Sequence, residues 1–182
     1  GESVFAEYLI SRPLEAYVQA FLGPELRLGF AVIFCTGNQV PYDSGWHRDL
    51  GGADRGASRT KELALLNRPR HHLKWHLGLV DDPCLRIVPG SHRVPFRPPE
   101  CHSRFPEEFY VLAKPGQAVM FDGCLYHRGA ANTSQQRRRV CLMCYQTAWM
   151  KSREPFDGPF AKRLRAEGTD EQKTLLGAIE KW

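Results

Sequence analysis

Apolar residues fall at Leu14, Val18, Phe21 and Leu22, the spacing of one face of a helix, with Ser11 placed to cap it, Pro13 in its first turn and Gly23 to end it. From Leu26 to Cys35 the pattern is that of a strand, residues 36–44 are rich in turn formers, and Gly45 to Leu50 reads as extended backbone. A polar stretch from Gly51 to Arg70, with glycines and many charges, predicts a long loop or lid holding a helical turn over Lys61 to Leu66. Strands are then predicted over residues 72–80, 85–88, 118–121 and 137–149. Turns at Pro89-Gly90 and Lys114-Pro115-Gly116-Gln117 and a loop over residues 129–136 divide them.

On the last strand Arg138, Val140, Leu142, Cys144 and Gln146 share one face, and Arg137, Arg139, Cys141, Met143 and Tyr145 the other. The tail over residues 151–182 reads as helical, with Thr169 and Gln172 spaced as a capping box ahead of Leu175, Leu176 and Ile179. Many short strands with helices kept to the two ends predict a mainly β fold, a double-sheet jelly roll with flanking α-helices, as one domain over residues 1–182.

Composition supports a globular domain: of 182 residues, 42% are hydrophobic and 25% charged, and no apolar run is long enough to span a bilayer. With no secretory pattern at its start, the chain is expected to be cytoplasmic and its six cysteines reduced thiols. Cys141 and Cys144 have the spacing of half a zinc site, but no second pair follows, and an odd spacing on a strand sends the thiols to opposite faces. The net charge of +5 is spread along the chain in short runs, which fits a basic surface around an anionic small-molecule site better than a nucleic-acid or membrane partner. Arg55, Arg59, Arg68 and Arg70 in the lid would favour an anionic substrate; solvated surface charge explains them equally well.

Chemistry concentrates in Gly45-Trp46-His47-Arg48-Asp49, because His47 and Asp49, two residues apart on extended backbone, point to the same side. His127, at the end of a predicted strand, offers a third ligand, and two histidines with one carboxylate make the facial triad that holds Fe(II) with positions left open. Arg138 follows His127 by eleven residues, and its planar fork suits the carboxylate of an acidic cosubstrate. The same three ligands would serve a zinc-dependent hydrolase, and a metal-free jelly-roll binding module is the third reading.

Three further segments give the triad company. These are Leu85-Arg86-Ile87-Val88-Pro89-Gly90-Ser91-His92, Lys114 to Phe121, and the spacing from His127 to Asn132 and Arg138. From about Leu14 to Tyr145 the chain resembles the phytanoyl-CoA dioxygenase-like branch of the Fe(II)- and 2-oxoglutarate-dependent oxygenases. The resemblance implies a double-stranded β-helix, a distorted, cupin-like jelly roll, with His47, Asp49 and His127 as iron ligands and Arg138 on the distal carboxylate of 2-oxoglutarate. It further implies hydroxylation of a small molecule by dioxygen, with release of succinate and CO2. Halogenases of the superfamily replace the carboxylate ligand, whereas Asp49 is kept. Where the family often has Ser or Thr two residues after the distal histidine, this chain has Gly129, so one hydrogen bond to the cosubstrate is in question.

Overall fold

A computed structural model describes residues 2–50, 56–95 and 102–179. Among them are the helices α1 Glu2–Leu9, α2 Arg12–Leu22, α3 Arg59–Leu66, α4 Pro159–Glu167 and α5 Asp170–Leu175. The strands are β1 Leu26–Thr36, β2 His72–Gly78, β3 Asp82–Ile87, β4 Phe109–Ala113, β5 Ala118–Asp122, β6 His127–Gly129 and β7 Arg138–Thr147. One sheet has the order β1-β7-β2-β5 and a second the order β4-β3-β6. The chain divides into two compact units, residues 1–31, 70–73 and 143–182 in one and residues 32–69 and 74–142 in the other.

In the first unit, α2 runs where the apolar spacing places it. Leu14 and Val18 are buried, while Phe21 is half exposed. Ser11 occupies the cap position without a side-chain cap bond, so the helix start rests on proline in the first turn. Gly23 ends it with φ of 83°, a conformation open to glycine at little cost. The helix α1 has no counterpart in the sequence reading. It is tied down by its carbonyls, with Tyr145 donating to Leu9 O at 3.1 Å and Gln172 to Ala6 O at 3.1 Å. The predicted capping box forms at the start of α5, and Leu175 and Leu176 are buried.

The second unit contains the β4-β3-β6 sheet, whose pairs are antiparallel. Strand β3 begins at Asp82, three residues earlier than predicted, because a bulge between Asp82 and Leu85 interrupts the alternation that marks a strand in sequence. Strand β4 is likewise missing from the sequence reading: Phe109, Tyr110 and Leu112 are exposed and Ala113 is buried, but all five residues are apolar, so the sequence carries no alternation to read. Its register on β3 is nonetheless defined, with Leu85 opposite Val111 and Ile87 opposite Phe109. On the other side of β3, Ile87 lies opposite His127 and Leu85 opposite Gly129, which carries the candidate ligand strand onto this sheet.

Candidate metal centre

The segment around His47 is turned into place by Gly45, whose φ is 68° and whose N–H is held by Asp43 Oδ1 at 2.8 Å. Beyond it the backbone is extended, and alternation divides the side chains. Trp46 and Arg48 are buried, and His47 and Asp49 point the other way. Trp46 packs with Val88, Tyr126 and Phe105, and its indole N–H donates to Ser103 O at 2.9 Å. Arg48 pairs with Glu62 of α3, donates to Ser91 O at 2.8 Å and Val94 O at 2.7 Å, and lies over the Tyr126 ring. The turn after β3, where Gly90 has φ of 79°, is thereby fastened to the ligand segment.

His47 and His127 face each other across an isolated antiparallel bridge. Each backbone N–H donates to the other's carbonyl at 3.1 Å, and the rings lie 4.3 Å apart. Asp49 is fixed by its N–H on Gly123 O at 2.8 Å. One ligand atom from each of His47, Asp49 and His127 lies within 4.8 Å of the others. The tautomers suit a metal: His47 Nδ1 sits 2.8 Å from Gly45 O and His127 Nδ1 2.8 Å from Leu125 O, so each Nδ1 is the protonated nitrogen and each Nε2 keeps its lone pair free. Burial, and then the neighbouring His47, push the His127 pKa down to about 3, which keeps the ring neutral as a ligand must be. Two imidazole nitrogens and one carboxylate fit a divalent first-row ion such as Fe(II).

His47 and His127 line a cavity of about 190 Å³ with Phe34, Leu85, Phe121 and Leu142 among its other walls. Arg138 reaches it from β7 with its neighbours turned outward: Arg138 is buried, and Arg137 and Arg139 are exposed, as strand alternation predicts. Its fork, however, holds Asp82, with Nε at 2.8 Å from Oδ1 and Nη2 at 3.1 Å from Oδ2. Asp82 is fully buried and also takes His76 Nε2 at 2.6 Å and the Cys84 N–H at 3.1 Å. Burial raises the Asp82 pKa, but the bonds from His76 and Arg138 outweigh it and hold the carboxyl well below the usual carboxylate range. The third nitrogen of Arg138, Nη1, would lie 3.2 Å from a Cβ placed on Gly129, and the Ser44 hydroxyl, which accepts the Gly129 N–H at 2.9 Å, would lie 3.8 Å from it. The hydroxyl missing from position 129 has a neighbour in Ser44.

Sequence reasoning missed Lys74, Asp82 and Ser44. Lys74 shares a face of β2 with His76, and both line the cavity while Trp75 does not. Lys74 Nζ lies 2.7 Å from Asp49 Oδ2. The signal for Lys74 was present in its offset of two from His76; Asp82 was hidden by the bulge. Of the lid arginines, Arg59, Arg68 and Arg70 are exposed and outside the cavity wall, and Arg55 lies outside the described residues along with the start of the predicted lid at Gly51-Gly52. Burial pushes the thiols of Cys84 and Cys141 up to about 11 and that of Cys124 up to about 12, the behaviour of core cysteines. Among the described residues no helix is long and apolar enough to cross a membrane.

The sequence profile of the phytanoyl-CoA dioxygenase (PhyH) family matches residues 13–140. The chain belongs to the PhyH family. The match takes in the whole triad and Arg138, and the family's mainly β, double-stranded β-helix fold with flanking helices is the fold of this chain. No curated protein sequence matches. Among solved structures, the PhyH fold recurs in the non-haem monooxygenase ThoJ, at 16% identity over 81% of this chain and 56% of that one, TM-score 0.59. It recurs in EvdMO1, at 24% identity over 78% of this chain and 32% of that one, TM-score 0.57. The third is the epimerase SnoN, solved with Fe3+, alpha ketoglutarate and nogalamycin RO, at 20% identity over 92% of this chain and 68% of that one, TM-score 0.59. This chain thus spans about half of ThoJ and a third of EvdMO1.

Proposed function

We propose that this PhyH-family chain is a non-haem Fe(II)- and 2-oxoglutarate-dependent dioxygenase that hydroxylates a small-molecule substrate. The observation that carries the reading is the triad, in which His47 Nε2, His127 Nε2 and one Asp49 oxygen converge while both Nδ1 atoms are spent on carbonyls. These three residues would hold the metal. Dioxygen would be the oxidant, activated at bound iron, with 2-oxoglutarate as the co-reductant that leaves as succinate and CO2.

The chain's own part is to bind, orient and keep water out. Arg138 offers Nη1 to a carboxylate while Asp82 holds its other two nitrogens, and the apolar walls of the cavity shield the reacting atoms. At about 190 Å³ the cavity suits a small dicarboxylate, being smaller than the roughly 300 Å³ at which drug-sized ligand sites begin. Asp49 keeps a carboxylate in the donor set and so leaves no place for halide, which favours hydroxylation over halogenation. SnoN is an epimerase and ThoJ a monooxygenase, so the fold by itself does not fix the outcome.

One observation gives the zinc-hydrolase reading a foothold: the Asp82 pair gives Arg138 a partner without any cosubstrate. The test separates the two. Protein loaded with Fe(II) under air should convert 2-oxoglutarate to succinate slowly even without substrate, and His127→Ala should abolish it. Absence of succinate together with zinc-dependent ester cleavage would establish the hydrolase.

A further inference from the structure

Lys74 extends from β2 into the cavity and places its ammonium 2.7 Å from Asp49 Oδ2, with each side chain 12% exposed. That oxygen is the one turned into the triad, since it lies 3.8 Å from His127 Nε2. The ammonium and a metal ion therefore want the same atom. The two histidines add no charge as neutral ligands, so Lys74 neutralises the one negative charge in the donor set. Such a set attracts a divalent ion weakly, because the ion must displace or share the contact with a fixed cation in a largely buried place.

The other cations of the cavity wall are differently placed. Arg138 is held by Asp82, and Arg128 lies within 3.5 Å of both Asp43 and Glu108, acids that belong to no candidate ligand set. Lys74 alone of these three answers to a candidate ligand. When Asp49 turns its charge to a metal, the ammonium beside it faces a site carrying excess positive charge, and an incoming dianion relieves that excess.

Resting on the proposed function, we propose that Lys74 couples metal loading to cosubstrate loading. It opposes capture of the metal by Asp49 while the cavity is empty, and it favours the metal once the dianion 2-oxoglutarate shares the site. Linkage makes the effect reciprocal: the metal tightens cosubstrate binding by the same factor.

The experiment is calorimetric titration of Mn(II), an ion without redox chemistry here, into the full chain with and without saturating 2-oxoglutarate. Wild type, Lys74→Met, Lys74→Arg and Asp49→Ala are compared, with thermal melts reporting that each is folded. Wild type should bind Mn(II) about tenfold or more tightly with 2-oxoglutarate present. Lys74→Met should bind Mn(II) alone about tenfold more tightly than wild type and show a coupling about tenfold smaller, any remainder coming from cosubstrate that ligates the metal directly, and Lys74→Arg should retain the wild-type coupling. The proposal is overturned if Lys74→Met leaves both affinities unchanged, or if it weakens Mn(II) binding, which would make Lys74 a positioning residue for Asp49. Should Lys74→Met fail to fold, Lys74→Gln provides the same comparison. Failure of the underlying reading looks different: wild type and Asp49→Ala would then bind Mn(II) alike or not at all.

Discussion

Asp82 grips Arg138 through two nitrogens, Nε at 2.8 Å and Nη2 at 3.1 Å, and leaves Nη1 turned toward Gly129. The pair is buried on both sides, so Arg138 without Asp82 is an uncompensated charge in the interior, whereas Asp82 without Arg138 keeps His76 and the Cys84 N–H. Asp82→Ala should cost about 3–5 kcal/mol of stability and Arg138→Ala about 1.5–3 kcal/mol, read by urea unfolding of the metal-free protein. Loss of cosubstrate binding in Arg138→Ala therefore needs a fold control. Arg138→Lys is the sharper variant: it keeps the charge, gives up the fork, and should weaken 2-oxoglutarate binding while metal affinity is preserved.

Gly129 sits where a methyl group would press on Arg138 Nη1 at 3.2 Å, and the clamp from Asp82 denies the guanidinium room to withdraw. Gly129→Ala should thus reduce 2-oxoglutarate affinity several-fold and stability by about 1 kcal/mol. A cosubstrate titration in the presence of Mn(II) checks the first and a thermal melt the second. Unchanged cosubstrate affinity in Gly129→Ala would place the carboxylate elsewhere in the cavity.

Arg48 stands between two candidate ligands yet faces away from them, joining Glu62 of α3 to the carbonyls of Ser91 and Val94. Replacing it with Met removes one partner of a buried pair and should cost about 3–5 kcal/mol. Because the same contacts hold the segment that presents His47 and Asp49, metal affinity should fall as well, although Arg48 touches no ligand atom. Mn(II) titration of a folded Arg48→Lys protein checks this.

Acid should destabilise the metal-free protein through His127. Its pKa falls from 6.5 in the unfolded chain to about 3 in the fold, so between those values the unfolded state takes a proton that the folded state refuses. Stability is complete above about pH 6.5 and is lost as pH drops toward 3, on the order of a few kcal/mol in all. Asp82 acts in the same direction at lower pH, since its depressed pKa favours the folded state only while it is ionised. Urea midpoints measured from about pH 8 to about pH 4 should fall steadily below about 6.5 in wild type, and His127→Gln should flatten that slope.

What could be read in advance followed from local periodicity. The α2 stripe, the β1 and β7 strands, the α5 capping box and the common side of His47 and Asp49 all come from spacings of two, three or four residues, and the structure has them. Arg138 was separable from its neighbours by its eleven-residue offset from His127, with alternation turning both neighbours the other way. The elements that escaped depend on long-range partners: α1 is secured by Tyr145 and Gln172 from far along the chain, and β4 is defined by its pairing with β3. Asp82 escaped because a bulge aims it inward, and Lys74 because a lysine on a strand reads as surface charge until its neighbour His76 is known to face the cavity.

The most direct test of the Fe(II) and 2-oxoglutarate assignment is visible absorption of the protein under strict exclusion of oxygen, in wild type and Asp49→Ala. Fe(II) alone should give no visible band, and addition of 2-oxoglutarate should raise a weak charge-transfer band in wild type that is absent from Asp49→Ala. Wild-type protein that binds Fe(II) yet shows no band at saturating 2-oxoglutarate would contradict the assignment.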